Sequence, residues 1–462
     1  MKEDVTIKKP NIIWIFGDQH REHALGLAGD PNVRTPHLDL LSQLGEGRLR
    51  GIAGSPLCSP FRGSLFTGLY PHKCIPGQCL PLPDNTPTIA TVLGEKGYRT
   101  AFFGKWHMGG YQDRSEEVKA HDQIIPAERR GDFEFWLGFE DNIFQWDTYL
   151  HGHDEKGYSI EQFHLEGFET DSMTDLFIDY IKRRGDEQSE GARPFFAALS
   201  VTPPHGPYVC PPKWMARHHP AEVHLRPNVP PVERVQEETR RDVAGYSAMV
   251  ENLDWNVGRI VETLESTGLF DNTIIIFFSD HGDMLGSHGH VQKSVPWEES
   301  IRIPFIVGGS RKLITPHMDR DWTPPFVNHV DIAPTTLGLC GVDTPTWMEG
   351  TDYSGYLSTE REKPKVEPDS AYLQLVDPGY KTGFVVDRER PWRGVVTRDG
   401  WKYVVLEGQP WLMHNLNEDP YEMHNLAILG REKQKRKELQ DLLADWMDRT
   451  GDTFQLPEIS GS

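Results

Sequence analysis

One cysteine stands where a thiol could do chemistry. Cys58 precedes a proline and lies four residues before Arg62, at what the sequence predicts to be the first turn of a helix. A side chain there faces backbone N–H groups that lack helical partners, and the positive end of the helix dipole. Both features favour a thiolate and any anion beside it. Packing as a small core residue is the alternative for an isolated cysteine of this kind.

Other polar side chains follow buried strands, at the point where each strand ends. Apolar runs predict these strands at 11–16, 100–103, 195–201 and 272–279. Together with Cys58, Arg62 and Lys293, these residues form the set whose side chains could take part in catalysis or bind a metal. The set is Asp18, Gln19, Cys58, Arg62, Lys105, His107, His205, Asp280, His281 and Lys293. Each one alone has an ordinary explanation, such as a turn cap or a packed histidine. Because ligands bind beyond the carboxyl ends of parallel strands, their joint placement predicts one site.

The elements that must position these residues form an α/β pattern. Alternating buried strands and helices predict a large mixed, mostly parallel sheet sandwiched by helices. Residues 49–53 are expected to return as a strand that brings the Cys58 loop to the same edge as Asp18. Residues 108–168 show weak periodicity, and we interpret them as a long insertion over the site.

The pattern changes near Gly341. Two apolar runs flank an Asp-Gly turn at 399–400 and predict an antiparallel hairpin, and 431–447 is predicted to be a closing helix. We therefore predict a catalytic domain over 1–340 and a smaller C-terminal subdomain with an antiparallel sheet over 341–462.

Composition limits the partners. The formal net charge of −21 disfavours nucleic acid and anionic membranes as partners, since both attract basic proteins. The five cysteines do not form a dense disulfide framework. No apolar run approaches the ~20 residues that span a bilayer, and the first ten residues do not resemble a signal peptide. The expected location is cytoplasmic, or periplasmic or secreted if a leader has been removed.

The pattern of Cys58, Pro60 and Arg62 resembles the signature of the type I sulfatases, which belong to the alkaline-phosphatase-like superfamily. In that family the cysteine is oxidised by a formylglycine-generating enzyme, and the hydrated aldehyde is the nucleophile. The resemblance extends over residues 11–427. Phe61 departs from it, because the family usually has serine there.

The resemblance implies a role for each candidate residue. It implies that one divalent cation is held by Asp18, Gln19, Asp280, His281 and the modified Cys58. It implies that the catalytic groups are Cys58, Arg62, Lys105, His107, His205 and Lys293. The family ion is Ca²⁺. An imidazole ligand, where many family members have asparagine, would suit Mn²⁺ better.

The resemblance implies a sulfuric ester hydrolase, and a small-molecule or oligosaccharide sulfate ester, above all a carbohydrate sulfate, is the expected substrate. Aromatic residues that could stack on a sugar, with one arginine, are Trp136, Trp146, Trp347, Trp392, Trp401 and Arg393. An arylsulfatase is an alternative. A phosphonate monoester hydrolase or phosphodiesterase is another, because Gln19 and His281 resemble those enzymes, whereas Lys105 fits the sulfatases. A binding protein with unconverted Cys58 is disfavoured, since every proposed catalytic position holds an able side chain.

Overall fold

The computed structural model describes residues 9–45, 49–110, 123–187, 192–315, 324–378 and 390–458. The strands are β1 (Asn11–Asp18), β2 (Arg50–Ile52), β3 (Arg99–Lys105), β4 (Phe135–Phe139), β5 (Thr148–His153), β6 (Ser159–Leu165), β7 (Phe195–Pro204), β8 (Thr273–Ser279), β9 (Phe305–Gly309), β10 (Phe326–Asn328), β11 (Ser370–Leu375), β12 (Trp392–Thr397), β13 (Trp401–Leu406) and β14 (Gln409–Asn415). The helices are α1 (Pro36–Gly45), α2 (Cys58–Thr67), α3 (Ile89–Glu95), α4 (Glu169–Asp186), α5 (Pro212–Met215), α6 (Glu233–Ser266), α7 (Glu298–Ile301), α8 (His329–Leu339) and α9 (Lys433–Thr450).

A large mixed sheet organises the fold. Its order in the described part of the chain is β6-β5-β4-β3-β7-β1-β8-β9. The central strands β4, β3, β7, β1 and β8 are parallel, and the outer strands pair antiparallel. The prediction of an α/β fold with a mostly parallel sheet is therefore confirmed, and four predicted strands lie side by side with their carboxyl ends at one edge.

Both faces of this sheet are covered. Along β1, Ile12 and Trp14 pack into one hydrophobic cluster and Ile13 and Ile15 into another, as the alternation of a strand requires. The first cluster includes side chains from α2, α3 and α8, and the second includes side chains from α1, α4 and α6. Burial on both faces explains why β1 is an almost continuous apolar run.

One prediction about the connections is wrong and another is confirmed. Residues 108–168 do not form only an insertion over the site, because they contain β4, β5 and β6, which extend the main sheet. The strand expected over 49–53 is present as β2, which pairs in parallel with β10 in a separate two-stranded sheet. The chain after β2 nevertheless brings Cys58 to the sheet edge, because α2 packs against α8, directly after β10.

A second sheet lies in the C-terminal part of the chain. Strands β11 to β14 form an antiparallel meander, and the predicted hairpin corresponds to β12 and β13. One face packs against α9, and the other shares a cluster with Leu57, Met284 and Trp297. The boundary between residues 340 and 341 remains a prediction. Among the described residues, no helix combines the length and apolar composition needed to cross a bilayer.

Gly104 offers a test of the strand packing beside the site. It adopts a φ of +102°, and a Cβ there would lie 1.8 Å from the carbonyl oxygen of Ser200 on the neighbouring strand. We expect Gly104→Ala to lower the free energy of unfolding by about 2–4 kcal/mol, because backbone must move. Thermal and urea unfolding would measure this. Gly94→Ala is the control, since Gly94 lies in α3 with nothing within 4 Å, and it should be neutral or stabilising.

Candidate active site

The end of β1 is shaped to present Asp18. Pairing between β1 and β7 shifts register between Gly17 and Asp18, so that Gly17 is opposite Val201 and Asp18 is opposite Pro204. Such an irregularity redirects the side chain that follows it. Asp280 and His281 directly follow β8, the other neighbour of β1, and the backbone N–H of Gln19 donates to Asp280 Oδ1 at 2.9 Å.

Four predicted metal ligands come together. The ligand atoms of Asp18, Cys58, Asp280 and His281 all lie within 4.8 Å of one another, and all four residues are buried. Cys58 Sγ is 3.3 Å from His281 Nε2 and 3.8 Å from Asp18 Oδ1. Two carboxylates, an imidazole and a residue that could supply oxygen form a donor set suited to a divalent cation. The donor chemistry therefore fits the expected metal.

Cys58 begins helix α2, as the sequence predicts. The preceding residue, Leu57, provides no side-chain cap, and within the first turn the Ser59 N–H donates to Gln78 Oε1 while Pro60 has no N–H group. Phe61 points away from the site, is buried, and packs edge-on against His329 with ring centroids 5.4 Å apart. The departure from the family pattern at Phe61 therefore changes the core packing of α2 rather than the groups that surround Cys58.

Two buried cations hold the carboxylates. Lys105 Nζ lies 2.8 Å from Asp18 Oδ2 and 2.6 Å from Asp141 Oδ1. Arg62 donates to the carbonyl oxygen of Lys105 at 2.6 Å and to Ser200 Oγ at 2.8 Å, and it lies 3.5 Å from Asp280 Oδ2. Both side chains are fixed, so little reorganisation is needed when an anion binds.

Lys293 approaches from the other side. Its Nζ donates to Gln19 Oε1 at 2.9 Å and lies 3.9 Å from Asp18 Oδ1. The amide nitrogen of Gln19 donates to Asp283 Oδ2, which also accepts from the Tyr208 hydroxyl. The Gln19 side chain is thus held by Lys293 and Asp283, and its role as a metal ligand remains a prediction.

The two histidines predicted to be catalytic, His107 and His205, have different surroundings. His107 Nε2 lies 3.3 Å from Gln78 Nε2 and 3.6 Å from Asp141 Oδ2, and its Nδ1 has no hydrogen-bond partner among the described residues. Gln78 also accepts from the backbone N–H of Ser59, which links His107 to helix α2. His205 Nδ1 donates to the Gly206 carbonyl at 2.7 Å, so Nε2 is the nitrogen that can exchange a proton.

The ionisable side chains of the site shift one another's pKa values. Burial opposes ionisation of Asp18, but Lys105 and Lys293 outweigh it and hold the pKa of Asp18 well below its ordinary value. Burial also opposes the charged form of Lys105, yet Asp141 and Asp18 raise its pKa well above its ordinary value. Burial and the nearby Lys293 lower the pKa of His205 to about 3. At neutral pH the resting site therefore holds ionised carboxylates, charged lysines and a neutral His205.

Sequence reasoning missed Asp141. Its carboxylate contacts Lys105 and lies near His107, and interaction with these two side chains outweighs the effect of burial and lowers the pKa of Asp141. Asp141 follows β4 just as Asp18 follows β1, so the same signal of a polar residue after a strand could have found it. The signal was not used because β4 was not predicted. Ser200 and Gln78 were also missed, and both hold predicted catalytic side chains through single hydrogen bonds.

The loop 141–147 lies beside the site and exposes aromatic side chains, and we call it the aromatic lip. Asp141 ties it to Lys105, and Gln145 Nε2 donates to the carbonyl oxygen of His205 at 2.8 Å. Between and beyond these anchors, Phe144 is 53% exposed and Trp146 is 45% exposed. Trp146 is therefore available to stack on a ligand. Trp136 and Trp392 belong to the core, which contradicts the expectation that they stack on a sugar.

Arg393 does not face a ligand either. It is buried and ion-paired with Asp452, with Nε 2.6 Å from Oδ2. Trp347 and Trp401 are partly buried and pack against hydrophobic clusters. Of the aromatic residues that the sequence suggested for sugar contact, Trp146 is the one that the structure leaves exposed beside the site.

Comparison with known proteins agrees with this geometry. A family model described as Sulfatase matches residues 10–342, and one described as N-sulphoglucosamine sulphohydrolase, C-terminal, matches residues 286–449. The chain is 30% identical to an ulvan-active sulfatase of Formosa agariphila, over 97% of this chain and 83% of that protein. It is 29% identical to an endo-4-O-sulfatase of Bacteroides thetaiotaomicron, over 91% of this chain and 88% of that protein.

A solved structure shares the whole fold. The crystal structure of a sulfatase described as putative, yidJ from Bacteroides fragilis, superposes with a TM-score of 0.81 at 26% identity, covering 96% of this chain and 97% of that one. With a family model that matches most of the chain, these findings show that the chain belongs to the sulfatase family of the alkaline-phosphatase-like superfamily. It is a sulfuric ester hydrolase.

Asp141 provides a test of the site geometry. Asp141→Asn removes the charge that helps to hold Lys105 and His107, so we expect kcat for 4-nitrophenyl sulfate to fall by about 10- to 100-fold. Steady-state kinetics would measure this. Asp147→Asn, on the same loop but 44% exposed, is the matched control and should stay within about twofold. Equal losses in both variants would contradict a specific role for Asp141.

Proposed function

We propose that the protein releases sulfate from a sulfated carbohydrate through a formylglycine nucleophile derived from Cys58. The observation that carries this proposal is the convergence of Cys58 with two buried carboxylates, one imidazole and three cations at a single sheet edge. The Sγ atom of Cys58 marks the position that the hydroxyl groups of a hydrated aldehyde would occupy. A formylglycine-generating enzyme would act before folding, because Cys58 is 1% exposed.

Asp18, Asp280, His281 and residue 58 would hold one divalent cation, with Gln19 as a further candidate ligand. The chemistry that a bound cation supplies is to lower the pKa of the attacking hydroxyl and to offset negative charge on the sulfuryl oxygens. Carboxylate ligands suit Ca²⁺, the ion of the family, whereas the imidazole of His281 suits Mn²⁺ better.

The sulfuryl group would be held by the cations of the site. Lys105, Lys293 and Arg62 are donors, fixed by contacts to carboxylates, amide or carbonyl oxygens, and they can neutralise charge on the sulfuryl oxygens. A hydroxyl of the hydrated aldehyde at position 58 loses its proton to solvent and attacks sulfur in line, the bond from sulfur to the ester oxygen breaks, and the alcohol leaves with a proton that His205 has taken up from solvent. The His205 Nε2 would protonate the leaving oxygen once the bound anion has raised the pKa of that imidazole.

Release of sulfate needs a second proton transfer. His107 would take the proton from the remaining hydroxyl at position 58, the carbonyl group would re-form, and the bond from carbon to the sulfate oxygen would break. Asp141, 3.6 Å from His107 Nε2, would stabilise the imidazolium that this step creates. A serine or threonine nucleophile has no second hydroxyl and could not release its ester in this way.

A carbohydrate is the substrate that the surroundings favour. Phe144 and Trp146 are exposed on the loop that contacts Lys105 through Asp141 and His205 through Gln145, and their aromatic surface suits the apolar face of a sugar ring. The two relatives described above are named for action on ulvan and as an endo-4-O-sulfatase. Lys105 favours sulfate over the phosphonate monoester alternative, which His281 and Gln19 leave open.

The nucleophile can be tested directly. We expect mass spectrometry of protein from its native host to find the peptide around Cys58 with the mass loss of thiol-to-aldehyde conversion, and sulfate release to vanish in Cys58→Ala. Cys74→Ala, which alters another buried thiol, is the matched control and should retain activity. An unmodified thiol in active protein would contradict the formylglycine mechanism. Faster hydrolysis of phosphonate monoesters than of sulfate esters would favour the alternative reaction.

The aromatic lip tests the substrate class. Trp146→Ala removes a stacking surface, so we expect KM for a sulfated oligosaccharide to rise about fivefold, equivalent to about 1 kcal/mol, with little change for 4-nitrophenyl sulfate. Tyr158→Ala is the control, because Tyr158 is 69% exposed in the turn between β5 and β6. An unchanged oligosaccharide KM would argue against carbohydrate contact at Trp146.

A further inference from the structure

Arg21 is a buried arginine that has no ion-pair partner among the residues that the structure describes. Arg21 is only 3% exposed, and its Nε atom has no hydrogen-bond partner in the part of the chain that the structure describes. No described carboxylate lies within ion-pair distance of its guanidinium group. Arginine is rarely buried unless it is paired, because an uncompensated charge loses its hydration. This arrangement calls for an explanation that the catalytic groups do not provide.

Arg21 lines a cavity of about 380 Å³, within the range of small-molecule sites. We call it the Arg21 cavity; its wall also includes His23, Asp30, His224, Arg226 and Tyr421. His23 Nδ1 is a second buried polar atom without a hydrogen-bond partner among the described residues. The cavity therefore has two unpartnered nitrogens that could bind a ligand.

The other charged residues of the cavity wall differ in their partners: Arg226 is paired with a carboxylate, whereas the contacts of Asp30 are with neutral nitrogens of Asn32. Arg226 Nε donates to Glu299 at 2.9 Å, and that buried carboxylate balances its charge. Asp30 Oδ1 accepts from the backbone and side-chain nitrogens of Asn32, at 2.8 and 2.9 Å, so this carboxylate is held by its own loop. Within the described part of the chain, Arg21 therefore lines the cavity without a carboxylate at ion-pair distance.

The backbone of Arg21 is held firmly. Its N–H donates to the Tyr246 hydroxyl at 2.8 Å, and this hydroxyl donates to the carbonyl oxygen of Gln19 at 2.8 Å. The guanidinium carbon lies 5.9 Å from the centre of the Tyr246 ring. Arg21 also lies three residues after Asp18. An anion at this guanidinium would therefore be bound by the segment that leaves the catalytic edge of the sheet.

We propose that the Arg21 cavity binds an oxyanion, a sulfate or carboxylate group, outside the catalytic cluster. The planar guanidinium matches such groups with two parallel hydrogen bonds, and neutral His23 can add a third. The anion would supply the charge that no described carboxylate supplies. Its source is either a second acidic group of the carbohydrate, an option that rests on the proposed function, or free inorganic sulfate, the product of the family reaction.

Sulfate binding tests the cavity apart from catalysis. In metal-loaded protein carrying Lys293→Ala, which weakens anion binding at the catalytic cluster, calorimetric titration with inorganic sulfate should still detect binding. Adding Arg21→Gln should weaken this remaining binding at least tenfold, as expected for loss of a charged bidentate contact. Adding Arg34→Gln instead should change nothing, because Arg34 is exposed and lines the neighbouring cavity.

Two further measurements keep the test decisive. Arg21→Lys keeps the charge but loses the planar fork, so its sulfate affinity should fall between those of arginine and glutamine even if Arg21→Gln folds poorly. Circular dichroism and thermal unfolding would check the fold of each variant. Absence of sulfate binding in the Lys293→Ala protein, or equal binding with Arg21 and with folded Arg21→Gln, would overturn the proposal.

Kinetics would distinguish the sources of the anion. If a second substrate group binds, Arg21→Gln should raise KM for a carbohydrate sulfate that also carries a carboxylate or second sulfate, but not for 4-nitrophenyl sulfate. If free sulfate binds, low sulfate concentrations should alter kcat in the parent enzyme and not in Arg21→Gln. The titration remains decisive even if Cys58 proves not to be the nucleophile, so failure of the proposed function and failure of this inference are distinguishable.

Discussion

Asp18 is the carboxylate on which the arrangement of the site depends. It is fully buried, with Lys105 at 2.8 Å, Lys293 at 3.9 Å and His281 at 3.5 Å from its oxygens. A buried carboxyl group without such neighbours would be protonated and would bind a cation poorly. Because the lysines keep Asp18 ionised, this one carboxylate can bind a cation and can also hold the lysines that bind an anionic ester.

The parallel sheet makes this concentration of charge possible. Strands β1, β3, β7 and β8 end at the same edge, and each delivers a polar side chain from a rigid, buried element. Helix α2 adds Cys58 at its first residue. The groups proposed for bond breaking thus sit on the scaffold, whereas Phe144 and Trp146, proposed for sugar contact, sit on a loop that can vary without disturbing it.

Arg62 and Arg21 show two outcomes for a buried guanidinium. The terminal nitrogens of Arg62 contact carbonyl, hydroxyl and carboxylate oxygens, although its Nε has no hydrogen-bond partner among the described residues. Arg21 is nearly as buried and has no such oxygens around its side chain in the described residues. An uncompensated buried charge does not stabilise a fold. Ligand-binding sites nevertheless commonly retain groups that lower stability while the ligand is absent.

The sequence by itself determined the central strands, the Cys58 helix and the polar residues at the strand ends, because these signals are local and periodic. Tertiary structure decided which elements pair. Strand β2 pairs with β10, which lies some 270 residues away, and β4 to β6 join the main sheet although their short segments lack clear alternation. For the same reason only the fold reveals that Asp141 contacts Lys105 and that Arg21 has no carboxylate at ion-pair distance among the described residues, since contacts between distant segments leave no local pattern.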